Sequence, residues 1–276
     1  MRAADPVDVR DRFEPERSAL LGLLEGLSAS DWEASTVCPG WSVKDIAAHL
    51  VGDDLSIVAR WRDDYAAGSF SLDSWDEVVA EINRRNEAWV DAMRRLSPAL
   101  VVDLLRWTAG PTLEAFRDRD PIAMGGSVSW AGPEPAPGWL HVAREYTERW
   151  HHQQQIREAV GRPLLDEPAF LEPVLATFAR SLPRAYRDTA APNGTQIGID
   201  FSGPAGSQWA VVRDEGRWTL LEGPADDPVA VIRVGQDAAW RLFTRGLPRE
   251  AAAAGVSVEG EASWREPFLG AVAILA

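Results

Sequence analysis

HVAREYTERWHHQQQIREAVG, residues 141–161, is helical in pattern. Val142, Tyr146 and Trp150 punctuate it, and Gly161 followed by Pro163 closes it in the manner of a helix C-terminus. The helix is expected over Trp139 to Val160. Glu148 and His152 stand four residues apart and so share one face, about one turn from each other. Two such side chains can chelate one ion. Taken alone the spacing is weak, because Glu and His often fall four apart on a solvated face. Here His141, Glu145, Glu148 and His152 fall on a single stripe, and a buried stripe of that polarity has to be paired or metallated. His151 points roughly 100° away from its neighbour, so only one of the two histidines can join Glu148. His152 is the expected partner; its bland alternative is a core histidine bonded to a backbone carbonyl.

Outward from this helix, KDIAAHLVGDD carries His49 in the middle of a helix expected from Val43 to about Ala67, capped by Ser42. If that helix packs alongside, His49 completes a set of histidine, carboxylate and histidine, and three protein ligands with open positions describe a catalytic ion rather than a closed structural one. Further helices are expected at Asp8 to Leu27, at Ser74 to Leu96 with Trp75, Val78, Val79, Ile82, Trp89, Val90 and Met93 as apolar positions, at Pro98 to Arg117 and at Pro168 to Leu182. The Gly/Pro-rich loop MGGSVSWAGPEPAPGW is long enough to serve as a lid or pocket wall. Beyond Asn193 the texture changes to β-rich runs, TQIGIDF, QWAVVRD, RWTLLEG, PVAVIRV and VSVEG, with short helices at Asp237 to Thr244 and Ala262 to Leu269. The fold class is therefore α+β in two domains, a bundle of four or five helices over 1–163 and a small α+β domain with a mostly antiparallel sheet over 164–276.

Composition narrows the function. A net charge of -14 opposes a nucleic-acid or anionic-membrane footprint, which leaves a small-molecule substrate. No signal-like or membrane-length apolar run is present, so a cytoplasmic protein is expected. With Cys38 the single cysteine, neither an internal disulfide nor a cysteine cluster for zinc can form, and a metal must use histidine and carboxylate. Cys38 as nucleophile lacks a base nearby in sequence, and a structural role is favoured. A Ser-His-Asp triad, a phosphate-binding glycine loop and a dinucleotide fingerprint are absent.

The stretches STVCPGWSVKDIAAHLVGDD and REYTERWHHQQQIREAVGRP together resemble the mycothiol-dependent maleylpyruvate isomerase family, whose N-terminal part is a DinB-like metal-binding four-helix bundle. VIRVGQDAAWRLFTRG and VSVEGEASWREPFLGAVAIL resemble the sterol-carrier-like α+β domain that follows it. The resemblance places the family's zinc ligands on His49, Glu148 and His152, the trio nominated by spacing. It implies a divalent metal, zinc before nickel or iron, and mycothiol as cosubstrate. The implied chemistry is addition of the thiol to an electrophile, ending in cis-trans isomerisation when the thiol leaves again or in transfer when it stays. One departure stands out: many relatives have Asp three residues after the second histidine, where this chain has Gln155.

Arg144 and Arg157 are candidates to grip the carboxylates of a substrate or thiol, since guanidinium binds carboxylate bidentately; pairing along the helix is the plain alternative. Asp53, one turn past His49, can orient it or simply face solvent. Trp89, with Trp41, Trp130 and Trp139, can wall a pocket or belong to the core. Rival functions are a thiol-independent metal hydrolase or lyase and a non-catalytic small-molecule-binding protein, the chain being a monomer or homodimer in any case.

Overall fold

A computed structural model of the chain describes residues 1–65 and 75–274, with the backbone alone at 75 and 76. In chain order these carry β1 (Arg2–Ala3), α1 (Phe13–Glu25), α2 (Ala29–Trp32), α3 (Val43–Ile57), α4 (Trp75–Met93), α5 (Pro98–Arg117), β2 (Met124–Ser127), β3 (Pro135–Pro137) and α6 (Gly138–Ala159). Then follow α7 (Pro168–Ala179), α8 (Leu182–Tyr186), β4 (Gln196–Ser202), β5 (Ser207–Asp214), β6 (Arg217–Glu222), β7 (Ala230–Gly235), α9 (Gln236–Phe243), α10 (Arg249–Ala254), β8 (Val256–Gly260) and α11 (Arg265–Leu269). The chain is α+β, with a helical N-terminal region and an antiparallel-dominated sheet after it. Among the described residues no helix is long and apolar enough to cross a membrane.

Two compact units form, and neither is continuous in sequence: one comprises Val9–Arg119 with Glu148–Leu165, the other Met1–Asp8, Asp120–Thr147 and Asp166–Ala276. A single division at 163/164, as chain order suggests, leaves out two segments that join the sheet unit. The N-terminus does so because β1 pairs with β6 and forms the edge of the sheet.

In the helical unit Leu20, Leu24, Ile46, Leu50, Val101, Leu105 and Ile156 build the core. α5 begins and ends where Ser97, Pro98 and Arg117 place it, with Ser97 capping its first turn. α3 is regular only to Ile57, where a π-helical turn over Val58–Arg62 replaces the α-helix expected to reach Ala67, which lies outside the described residues, as do Ser74 and the Trp75 side chain. On α4 the expected apolar face is only partly realised: Val90 and Met93 are buried, whereas Ile82 is 38% exposed. The burial that periodicity promised is thus confined to the C-terminal end of that helix.

Trp89 anchors this end by donating from Nε1 to the Ala48 carbonyl over 2.8 Å, and it can do so because position 52 has no side chain. A Cβ on Gly52 would stand 2.7 Å from Trp89 Nε1. Gly52→Ala is therefore expected to cost about 1–3 kcal/mol through overpacking, read as a lower denaturation midpoint; a variant as stable as the parent would show that the indole yields freely.

The unit also buries charge. Asp54 accepts from Arg17, Arg149 and Thr108 at 2.9, 3.0 and 2.6 Å, tying α1, α5 and α6 to α3. Glu16 nearby receives only an amide, Gln153 Nε2, at 2.8 Å. Burial pushes the Glu16 carboxyl up more than Arg17, Arg149 and Gln153 pull it down. A raised folded value means a stability contribution that is whole below the ordinary carboxylate range and is lost as pH rises through the folded value. Glu16→Gln should remove that loss, making the variant at least as stable as the parent at neutral pH in urea titrations repeated across pH.

In the other unit the strand order is β1-β6-β5-β4-β7-β8, antiparallel except between β4 and β7. Ile197, Ile199 and Phe201 of β4 alternate into the core, where Phe201 and Phe178 flank Phe243 with centroids 5.9 and 5.7 Å away. The glycine-rich loop expected as a lid contains the short antiparallel hairpin β2–β3.

Candidate metal centre

The capping box at Ser42, whose hydroxyl accepts from Asp45 N while the Asp45 carboxylate accepts from Ser42 N, fixes where α3 starts and hence which way His49 points. The preceding loop is held by Thr36, which donates to the Trp41 carbonyl over 2.9 Å and accepts from Cys38 N over 3.2 Å. These bonds place Cys38 and Trp41 beside the helices. The Trp41 ring lies 5.2 Å from that of His49, and its Nε1 donates to Glu87 over 2.8 Å.

His49 and His152 meet edge to face, with ring centroids 4.7 Å apart. A carboxylate stands beside each: Asp53 Oδ2 is 3.3 Å from His49 Nε2, and Glu148 Oε2 is 3.8 Å from His152 Nε2. The imidazoles are the deeper groups, 9% and 12% exposed, and the carboxylates the shallower, near 30% and 29%. Burial, followed by the neighbouring His49 and His151, holds the His152 pKa well below the ordinary histidine range, so its ring is neutral at neutral pH. Its Nδ1 lies 2.8 Å from Gln155 Oε1, and its Nε2 is the ring nitrogen facing Glu148.

Residues 13–157 match the family model described as the mycothiol maleylpyruvate isomerase N-terminal domain. The chain belongs to this family. Two solved structures, one of the mycothiol-dependent maleylpyruvate isomerase and one of a histidine-to-alanine mutant of it, are each 13% identical over 95% of this chain and 97% of theirs, with TM-scores of 0.55. At that identity the likeness is one of fold. No curated protein matches.

Within the family's helical region the expected trio is brought together in part. Among the described residues no three His, Cys, Asp or Glu side chains are gathered as closely as a bound ion requires. The donor chemistry nevertheless fits a borderline divalent ion: two imidazoles, one of them neutral with its outer nitrogen engaged, and a carboxylate one helical turn away. Other candidates are occupied elsewhere. Arg157 donates to Gln153 Oε1 and the Pro163 carbonyl at 2.9 Å each, and Trp89 packs on α3. Arg144 and His141 belong to the sheet-containing unit, where Arg144 donates to Glu145 over 2.8 Å and His141 Nε2 lies 3.0 Å from the Gly126 carbonyl. Trp130 is buried in that unit and Trp139 lies under Arg180.

Two residues were not anticipated here. Cys38 Sγ donates to Gln155 Oε1 over 3.4 Å, although 117 positions separate them. Asp54, adjacent to Asp53, turns instead into the buried arginines. Its signal was present in the chain: it follows Ala47, Leu50 and Val51 on the apolar stripe of α3.

Proposed function

We propose that this protein is a metal-dependent enzyme that activates a low-molecular-weight thiol, mycothiol, for addition to an electrophilic small molecule, with isomerisation or thiol transfer as the outcome. The observation that carries the reading is the edge-to-face pairing of His49 and His152 at 4.7 Å with Glu148 beside the second ring. His49, Glu148 and His152 would hold the ion, zinc being the best match to two nitrogens and one oxygen. When bound, such an ion supplies the Lewis acidity that keeps a thiol deprotonated at neutral pH.

The chain's own residues prepare the place. Gln155 Oε1 stands 2.8 Å from His152 Nδ1, which would leave Nε2 for the ion. Trp41 packs beside His49, with ring centroids 5.2 Å apart. Thiol and substrate would arrive from the side of the shallower carboxylates, which are the more exposed groups. Burial pushes the Cys38 thiol up, so it stays protonated at neutral pH and serves as a hydrogen-bond donor, not as the nucleophile.

Metal-loaded protein supplied with mycothiol and a panel of electrophiles is expected to turn over one or more of them only when the thiol is present. Turnover that persists after complete removal of thiol, or none across the panel, would overturn the reading.

A further inference from the structure

Gln155 is 5% exposed and stands where three polar groups converge. Its Oε1 faces His152 Nδ1 at 2.8 Å and Cys38 Sγ at 3.4 Å, while its Nε2 faces His151 Nε2 at 3.4 Å. An amide oxygen only accepts and an amide nitrogen only donates. In this orientation the oxygen accepts from the Cys38 thiol and, when His152 is protonated on Nδ1, from that ring as well, while the nitrogen can donate to a His151 whose Nε2 is unprotonated. Turning the amide over would deprive the Cys38 thiol of its acceptor and set the NH2 against the sulfur, which accepts only weakly. It would also demand an acceptor at His152 Nδ1, driving that ring's proton to Nε2, the nitrogen nearest Glu148.

We propose that Gln155 is a positioning residue that holds His152 in the Nδ1–H tautomer, and that the Cys38 thiol favours the way its amide must face to do so. The proposal deepens the metal-dependent reading and rests on it only for the use to which His152 Nε2 is put. It gives Cys38 a purpose that needs no reactivity: its thiol hydrogen is a second vote for the amide oxygen's place. A carboxylate at 155 would also accept from both donors. The amide does so without adding a charge beside a buried ring.

The test uses the full metal-free chain labelled with 15N. With four histidines in the chain, long-range proton–nitrogen correlation spectra of the imidazoles are sparse, and the His152 signals are those missing from His152→Phe. At neutral pH the parent protein is expected to show His152 protonated on Nδ1. Gln155→Glu should keep that tautomer and bind Zn2+ at least as tightly, because the oxygen acceptor remains. Gln155→Leu should lose the tautomer's dominance and bind Zn2+ about 10–100-fold more weakly, the usual effect of deleting a partner behind a ligand.

A parent His152 protonated on Nε2 would overturn the inference, as would a leucine variant with unchanged tautomer and Zn2+ affinity. The parent and glutamate spectra decide the matter even where the leucine variant fails to fold. An Nδ1–H ring in a parent protein that binds no Zn2+ would leave Gln155's role standing and remove the metal-dependent reading instead.

Discussion

His152→Ala is expected to emerge from purification without stoichiometric metal, and thiol-dependent turnover should fall to background with it. The reason lies in how much that ring contributes: it meets both others of the trio, 4.7 Å from the His49 ring and 3.8 Å from Glu148. Deleting a partner behind a ligand costs about 10–100-fold in affinity, and deleting the ligand itself should exceed that. Elemental analysis of protein purified without added metal reads the outcome directly. Trp107→Ala, on an exposed part of α5, should keep full occupancy and serves as the comparison. Parental metal content in His152→Ala would end the assignment. The pH dependence has a definite sign. Because the folded ring's pKa is depressed, its contribution to stability is present above the ordinary histidine range and is lost as pH falls through the folded value.

The second large effect concerns folding. Asp54→Ala would leave Arg17 and Arg149, whose side chains are 10% and 1% exposed, facing each other without their shared carboxylate. Breaking a buried pair by removing one partner costs about 3–5 kcal/mol, enough to lower Tm by on the order of 10 °C. Thermal unfolding followed by circular dichroism checks it, and a loss too small to resolve would mean that water or a rearranged Glu16 takes over. Here too the sign follows from structure. Burial alone would push the Asp54 carboxyl up, but the charges and hydrogen bonds of Arg17 and Arg149 more than offset it, so the group sits below the ordinary range. Its stabilisation is present above that range and is lost as pH falls through the folded value. Glu16 has the opposite sign because it faces an amide and not a bonded guanidinium.

These two acids show where reading the chain succeeds and where it stops. Helices such as Pro98–Arg117 were legible because start and stop chemistry is local: a serine cap, a proline in the first turn and an apolar period of 3.6. Short elements were not. α2 rests on a four-residue capping box at Ser28, α10 is a run of alanines between a proline and a glycine, and β1 exists only by virtue of β6. Ile82 obeyed the helical period yet stayed exposed, since periodicity says which face a residue shares and not whether anything covers that face.

The pairing of Glu148 with His152 follows from spacing on one helix, and His49 was nominated because its own helix is long and apolar enough to pack. Composition bears on further matters without any coordinates: one cysteine permits no disulfide within these residues, and a surplus of acids disfavours phosphate polymers as partners. Tertiary structure alone decided that Asp53 turns to His49 while its neighbour Asp54 enters the core, and that Cys38 reaches across 117 positions to Gln155. The physical reason is range. Backbone geometry links residues three or four apart at fixed distance, so helical neighbours can be computed from the chain. Which distant side chains meet depends on the packing of every helix between them, and no local rule carries that information.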